Sequence, residues 1–184
     1  MQRVHNVQLD KMEVIYPKGN PEKNQAGNYR FADGALTLVS KGWDDDDRID
    51  VRTLESFKLP LKVTLVVKST CDLWLYYNRG SLALNYCEEC PNTLHAGDIF
   101  TGCYTPYFKE KLPLDDDVKI TWLLDYSVTK VYANGVHYHT HLWLDSTFAS
   151  GVPYEERMNV SSPLTIAARN TSTLTIKSIS VTEC

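Results

Sequence analysis

Between Val118 and Trp143 the chain reads VKITWLLDYSVTKVYANGVHYHTHLW, with Asn134-Gly135 set between two runs rich in β-branched and aromatic residues. Asn-Gly is the pair that best tolerates positive φ at both centres of a type I′ turn, the turn whose twist suits an antiparallel hairpin. The stretch therefore predicts a hairpin, with Thr129 to Ala133 as the outgoing strand and Val136 to Trp143 as the return. Lys119 to Asp125 predicts a strand just before it, because Ile120, Trp122 and Leu124 fall on one face at period two.

The same alternation recurs along the chain. Leu61, Val63, Leu65 and Val67 share one face, with Lys62 and Thr64 on the other. In DLWLYYN, Leu73, Leu75 and Tyr77 oppose Trp74 and Tyr76, and Arg79-Gly80 separates this run from Ser81 to Tyr86. Tyr29 to Phe31 and Leu36 to Ser40 flank the turn signal Asp33-Gly34. Leu164 to Arg169 and Thr173 to Thr182 are two further β-rich runs, Val7 to Ile15 reads as one strand, and Ile99 to Phe108 as another short one. No segment has helical periodicity. Turn residues punctuate the chain about every 8–12 residues, the spacing of an all-β, antiparallel two-sheet sandwich. The 184 residues suffice for one such core. Residues 1–24, a strand and a polar loop, are expected to belong to the same domain as a β-sandwich over residues 25–184.

The net charge of −4 and the absence of any Lys/Arg run argue against nucleic acid and anionic membranes as partners. No apolar stretch reaches the ~18 residues of a membrane span. The N-terminus, MQRVHNVQLDKMEV, has charges where a signal peptide would have an apolar core. The expectation is a cytoplasmic protein, or a domain cut from a larger one. Five cysteines, an odd number, then favour reduced thiols over disulfides.

Three pieces together, LYYNRGSLALNY, KITWLLDYSVTKVYANG and the closing STLTIKSISVTE, resemble the concanavalin A-like lectin/glucanase superfamily, in which laminin-G-like and carbohydrate-binding domains share a jelly roll. The likeness spans residues 27–184. It implies two antiparallel sheets packed face to face, a last strand that pairs near the first, and a curved sheet whose concave side holds sugars in related proteins. It also implies a carbohydrate-binding, lectin-like module. Glucanases of this fold carry Glu-x-Asp-x-(x)-Glu on one strand, and retention needs two carboxyls about 5–5.5 Å apart. Glu88-Glu89 and Glu155-Glu156 do not alternate on a strand, so a non-catalytic domain is expected, with a glycoside hydrolase the less favoured reading.

Sugar rings present apolar C–H faces to aromatic side chains. Trp74 and Tyr76, at i and i+2, share a strand face about 6.5–7 Å apart and are candidates for an exposed ligand-facing pair; the alternative is that they cover the edge of the core. Trp122, Tyr132, His137 and His139 are the further candidate contacts. His137, His139 and His141 at period two would lie on one face, where neighbouring imidazoles can line a ligand or share a metal. Cys87-Glu-Glu-Cys90 has the spacing of a zinc knuckle, a disulfide or two free thiols. Asp44 and Asp46, within an acidic run, suit calcium or simply solvent, as do Asp115 to Asp117. No cofactor is required by these patterns, with calcium the ion they best accommodate. Partners are thus carbohydrate or, in an intracellular sensing module of a larger regulatory protein, another protein. Exposed sheet edges leave a homodimer open.

Overall fold

Alternation along each strand becomes two faces once the strands pair. The computed structural model describes residues 2–15, 28–42, 48–77, 80–85, 92–95, 111–125, 128–142 and 161–184. In chain order these form β1 (Arg3–Asn6), a 3₁₀ turn (Leu9–Lys11), β2 (Glu13–Ile15), β3 (Tyr29–Ala32), β4 (Ala35–Val39), β5 (Ile49–Arg52), β6 (Phe57–Lys58) and β7 (Leu61–Ser69). They continue with β8 (Leu73–Tyr77), β9 (Gly80–Leu84), β10 (Asn92–His95), β11 (Val118–Leu124), β12 (Val128–Ala133), β13 (Val136–Leu142), β14 (Ser161–Ser162), β15 (Leu164–Ala168) and β16 (Thr173–Glu183). The expected strand at Ile99 to Phe108 lies outside the described residues.

All the main pairings are antiparallel, and they build two sheets. One has eight strands, in the order β13-β12-β11-β7-β16-β4-β3 with β1 also on β16; the other has six, in the order β10-β9-β8-β15-β5-β2. Leu61, Val63, Leu65 and Val67 of β7 and Ile120, Trp122 and Leu124 of β11 point inward from the first sheet. Leu73, Leu75 and Tyr77 of β8 and Leu164 and Ile166 of β15 meet them from the second, and all belong to one apolar cluster. This is the expected all-β sandwich.

Two bulges reset the alternation. In β16, Leu174 and Ile176 face the core at even positions and Ile179 and Val181 at odd ones, because the register on β7 slips between Ile176 and Ser178. A one-residue slip sends every later side chain to the other face unless the apolar pattern shifts with it. The sequence TLTIKSISV makes that shift.

The expected hairpins form. Asn134 and Gly135 join β12 to β13 with φ of 49° and 80°, and Asp33 and Gly34 join β3 to β4 with φ of 53° and 76°. Asn134 also binds back to β11: its backbone N–H donates to the Lys119 carbonyl at 2.8 Å, and its Oδ1 accepts from the Lys119 N–H at 2.9 Å. A Cβ at Gly135 would meet nothing within 4 Å, so Gly135→Ala tests the backbone alone. It is expected to cost about 1–2 kcal/mol and to lower the melting temperature by roughly 2–8 °C in a thermal scan.

The single strand expected over Val7 to Ile15 is corrected. β1 pairs with β16 in the eight-stranded sheet, while β2 pairs with β5 in the six-stranded one. No one strand can serve both sheets, and the 3₁₀ turn carries the chain across with Leu9 buried.

Candidate functional site

The six-stranded sheet has an unusual outer face. With Leu73, Leu75 and Tyr77 turned inward, β8 must turn Trp74 and Tyr76 outward. The register then places Trp74 beside Ala83 of β9 and Ala167 of β15, with Asp50 of β5 beyond Ala167. Tyr76 lies beside Thr165, which pairs with Arg52. An outer sheet face is ordinarily solvated, yet here Trp74 is 6% exposed, Asp50 5% and Ala167 fully buried. On the eight-stranded sheet the corresponding outward residues Lys62 and Lys119 are exposed.

Trp74, Ala83 and Ala167 form a small cluster of their own, separate from the main core, with Tyr76 packed against it. The rings of Trp74 and Tyr76 are stacked, 6.1 Å apart at 17°. Just beyond the end of β15, Arg169 lays its guanidinium over both, 4.5 Å from the Trp74 centroid and 5.5 Å from that of Tyr76. A cation over an aromatic face is attracted by the ring quadrupole. The small side chains of Ala83 and Ala167 leave room for this stack on either side of Trp74.

The Trp74 indole is held in place by Asp72, whose Oδ2 accepts from Nε1 at 3.0 Å. The Ser172 hydroxyl reaches Asp72 Oδ1 at 3.3 Å and the Arg169 carbonyl at 2.6 Å. Asp72 is fully buried, and burial pushes its carboxyl up to about 6, against the lowering effect of the hydrogen bonds from Trp74, the Arg169 backbone and Ser172. Burial likewise raises the Tyr76 phenol, so it stays protonated and can donate. Its Oη is buried and has no hydrogen-bond partner among the described residues, and the same holds for Nε of Arg169. Asp50 is paired to Arg48 at 3.1 Å, and Glu13 to Arg52 at 2.7 Å, on the same side of the sheet.

The other expected contacts do not join this group. Trp122 is not at a surface: it is 2% exposed in the core, where its Nε1 donates to Thr129 Oγ1 at 2.7 Å. The alternation with Ile120 and Leu124 was the available signal, since a residue flanked at i±2 by buried aliphatics shares their face. Tyr132 lies on the outer face of the eight-stranded sheet, on the far side of the sandwich from Trp74, against His137 at 5.3 Å.

The shared face of the histidines is also corrected. The register slips between Val131 and Tyr132, so that His139 pairs with Val131 and His137 with Tyr132. Tyr138 is the extra residue of this bulge, and the two imidazoles consequently lie on opposite faces, where one ion cannot bridge them. His137 Nε2 lies 2.8 Å from Thr140 Oγ1 instead. No cluster of three or more His, Cys, Asp or Glu suited to a metal occurs among the described residues. Cys87, Cys90, Asp44 and Asp46 lie outside them. Of the second acidic run, Asp117 pairs with Lys177. The expectation that Trp74 is exposed is corrected as well, because Arg169 lies across its ring.

Arg169, Asp72 and Ser172 escaped the sequence reading. Asp72 was within reach, because it sits two residues before Trp74 in D-x-W-x-Y. Arg169 needed the outward phase of Ala167 to be followed two residues further. Nothing local marks Ser172.

No family model matches this chain, and no curated protein does. Solved structures do match. The β-agarase A of Zobellia galactanivorans superposes with a TM-score of 0.65 at 8% identity, over 100% of this chain and 92% of that one. The catalytic domain of an endo-1,3-β-glucanase (laminarinase) from Thermotoga petrophila gives 0.60 at 14% identity, over 100% and 99%. The carbohydrate recognition domain of Emp47p gives 0.53 at 10%, over 95% and 97%. At such identities the likeness is one of fold, the two-sheet antiparallel jelly roll that these structures share with this chain.

Proposed function

We propose that this chain, a concanavalin A-like jelly roll, binds carbohydrate without cleaving it, through the outer face of its six-stranded sheet. The observation that carries this reading is the stack of Trp74, Tyr76 and Arg169 on that face, with the Tyr76 hydroxyl buried and unpartnered. The half-buried Tyr76 ring and the planar guanidinium laid over it give a sugar a flat surface to pack on, and the unused Tyr76 hydroxyl offers a hydrogen bond to its oxygens. The half-buried Tyr76 and Arg169 are the groups that meet the ligand, while Trp74 supports them from beneath. The fold agrees: a carbohydrate recognition domain and enzymes named for agarose and glucan share it.

Acid groups on this face are already engaged among the described residues. Glu13 and Asp50 are ion-paired, and Asp72 is buried against Trp74 and Ser172. A hydrolase needs one carboxyl free to protonate the leaving group and a second free to act as base or nucleophile. This favours binding over turnover.

The test is a glycan array on the purified protein, run with calcium and with EDTA. Binding is expected to survive EDTA. Tyr76→Ala is expected to weaken it about tenfold or more, whereas Tyr132→Ala, on the far side of the sandwich, leaves it unchanged. Failure to bind any glycan overturns the reading and turns attention to protein partners. Release of reducing sugar from a polysaccharide panel, abolished by a single carboxylate substitution, overturns the non-catalytic part alone.

A further inference from the structure

The carbohydrate reading leaves open what kind of glycan fits, and Arg169 bears on that. We infer that the site selects an acidic glycan, whose carboxylate or sulfate group is held by Arg169 and Tyr76. This rests on the reading above and narrows it.

With the guanidinium 4.5 Å from the Trp74 centroid and 5.5 Å from that of Tyr76, that face of the aromatic pair is covered by a cation and is not bare for a neutral pyranose. The cation–π contact holds the guanidinium on the ring pair, and the planar fork of an arginine can meet an oxyanion with two parallel hydrogen bonds. Among the described residues no carboxylate lies within 4.0 Å of the Arg169 nitrogens. The nearby acids have other partners: Asp50 is paired with Arg48, and Asp72 accepts from Trp74 and Ser172.

Two buried atoms on this face, Arg169 Nε and Tyr76 Oη, lack hydrogen-bond partners among the described residues. Both can donate, and leaving a buried donor unmade is costly. What these two donors lack is therefore an acceptor, and negative charge is the complement to the Arg169 cation. A sugar hydroxyl can accept a hydrogen bond but leaves the charge unmatched; a carboxylate or sulfate oxygen pair meets both demands.

Isothermal titration of the full chain separates the cases, using oligogalacturonate, its methyl ester as the neutral counterpart, and a sulfated galactan oligosaccharide. The acid form is expected to bind at least about tenfold more tightly than the ester, as a charge-assisted contact implies, with affinity falling as salt rises. Arg169→Gln is expected to abolish that preference. Arg169→Lys, which keeps the charge but loses the fork, is expected to restore only part of it. Tyr76→Phe removes just the hydroxyl and is expected to cost several-fold on the acid form, giving a second variant should Arg169→Gln melt early. Preference for the uronate or for the sulfated probe identifies which oxyanion is recognised. Equal binding of acid and ester, or wild-type acid binding by Arg169→Gln, overturns this inference and leaves carbohydrate binding standing. No binding of any of the three probes, together with an empty glycan array, overturns both.

Discussion

Trp122→Ala is expected to destabilise the domain by about 3–5 kcal/mol, the range for removing a large aromatic from a packed interior. The side chain is 2% exposed, with Val63 of β7 and Val131 of β12 as its register neighbours on either side in the eight-stranded sheet. Truncation opens a void between the two sheets and also removes the donor that Thr129 Oγ1 accepts from at 2.7 Å. Urea denaturation followed by tryptophan fluorescence and far-ultraviolet circular dichroism checks it. Trp122→Phe, which keeps most of the volume but not the N–H, is expected to lose clearly less. A loss under 1 kcal/mol for the alanine variant, against the ~3 kcal/mol floor expected for a buried aromatic, would mean that this position is not part of the core. Tyr132→Ala, ten residues along but on the outer face, is the internal control and is expected to change stability little.

Asp72 carries the second large effect, and its sign is unusual for a carboxylate. Its folded value, about 6, lies above the ordinary 3.8 because burial disfavours the charged form more than its hydrogen bonds favour it. The native state therefore holds the proton more tightly than the unfolded chain does. The associated stability is fully present below the unfolded value and is lost as pH rises through about 6. Asp72→Asn keeps an oxygen for the Trp74 indole and carries no charge. The variant is expected to match the wild type near the low end of this window and to exceed it at neutral pH by on the order of 2–3 kcal/mol. Paired urea titrations at stepped pH read this as a difference, so titrations elsewhere in the molecule cancel. A wild type that instead gains on the variant as pH rises would show that the carboxylate is the favoured buried form. Because Asp72 also orients Trp74 beneath Arg169, the substitution bears on the candidate site, and the glycan titrations above apply to it equally.

How far the fold was legible follows from where the information sits. Period-two alternation depends only on adjacent residues, so β7, β8 and β11 could be read with their inward faces, and Asn134-Gly135 and Asp33-Gly34 announced their turns. Bulges are harder. The slip in β16 shows in the sequence, because its apolar positions change phase around Lys177. The slip in β13 does not, because His137, Tyr138 and His139 are all tolerated on either face, and only pairing with β12 reveals that the imidazoles diverge.

The candidate site divides in the same way. By itself, the chain determined an all-β sandwich, the strand that turns Trp74 and Tyr76 away from the core, and the residue types a sugar site would need, since each of these is set within one strand or one turn. The phase of Trp122 with Ile120 and Leu124 was also there to be read, but tertiary structure alone decided that Tyr132 and His137 face the opposite side of the sandwich from Trp74. It alone brought Arg169, nearly a hundred positions along the chain, over the two rings, and buried Asp72. Burial and cross-strand neighbours depend on which strands lie side by side and on which sheet covers which face. In a jelly roll those strands are far apart in sequence, so no local pattern encodes them.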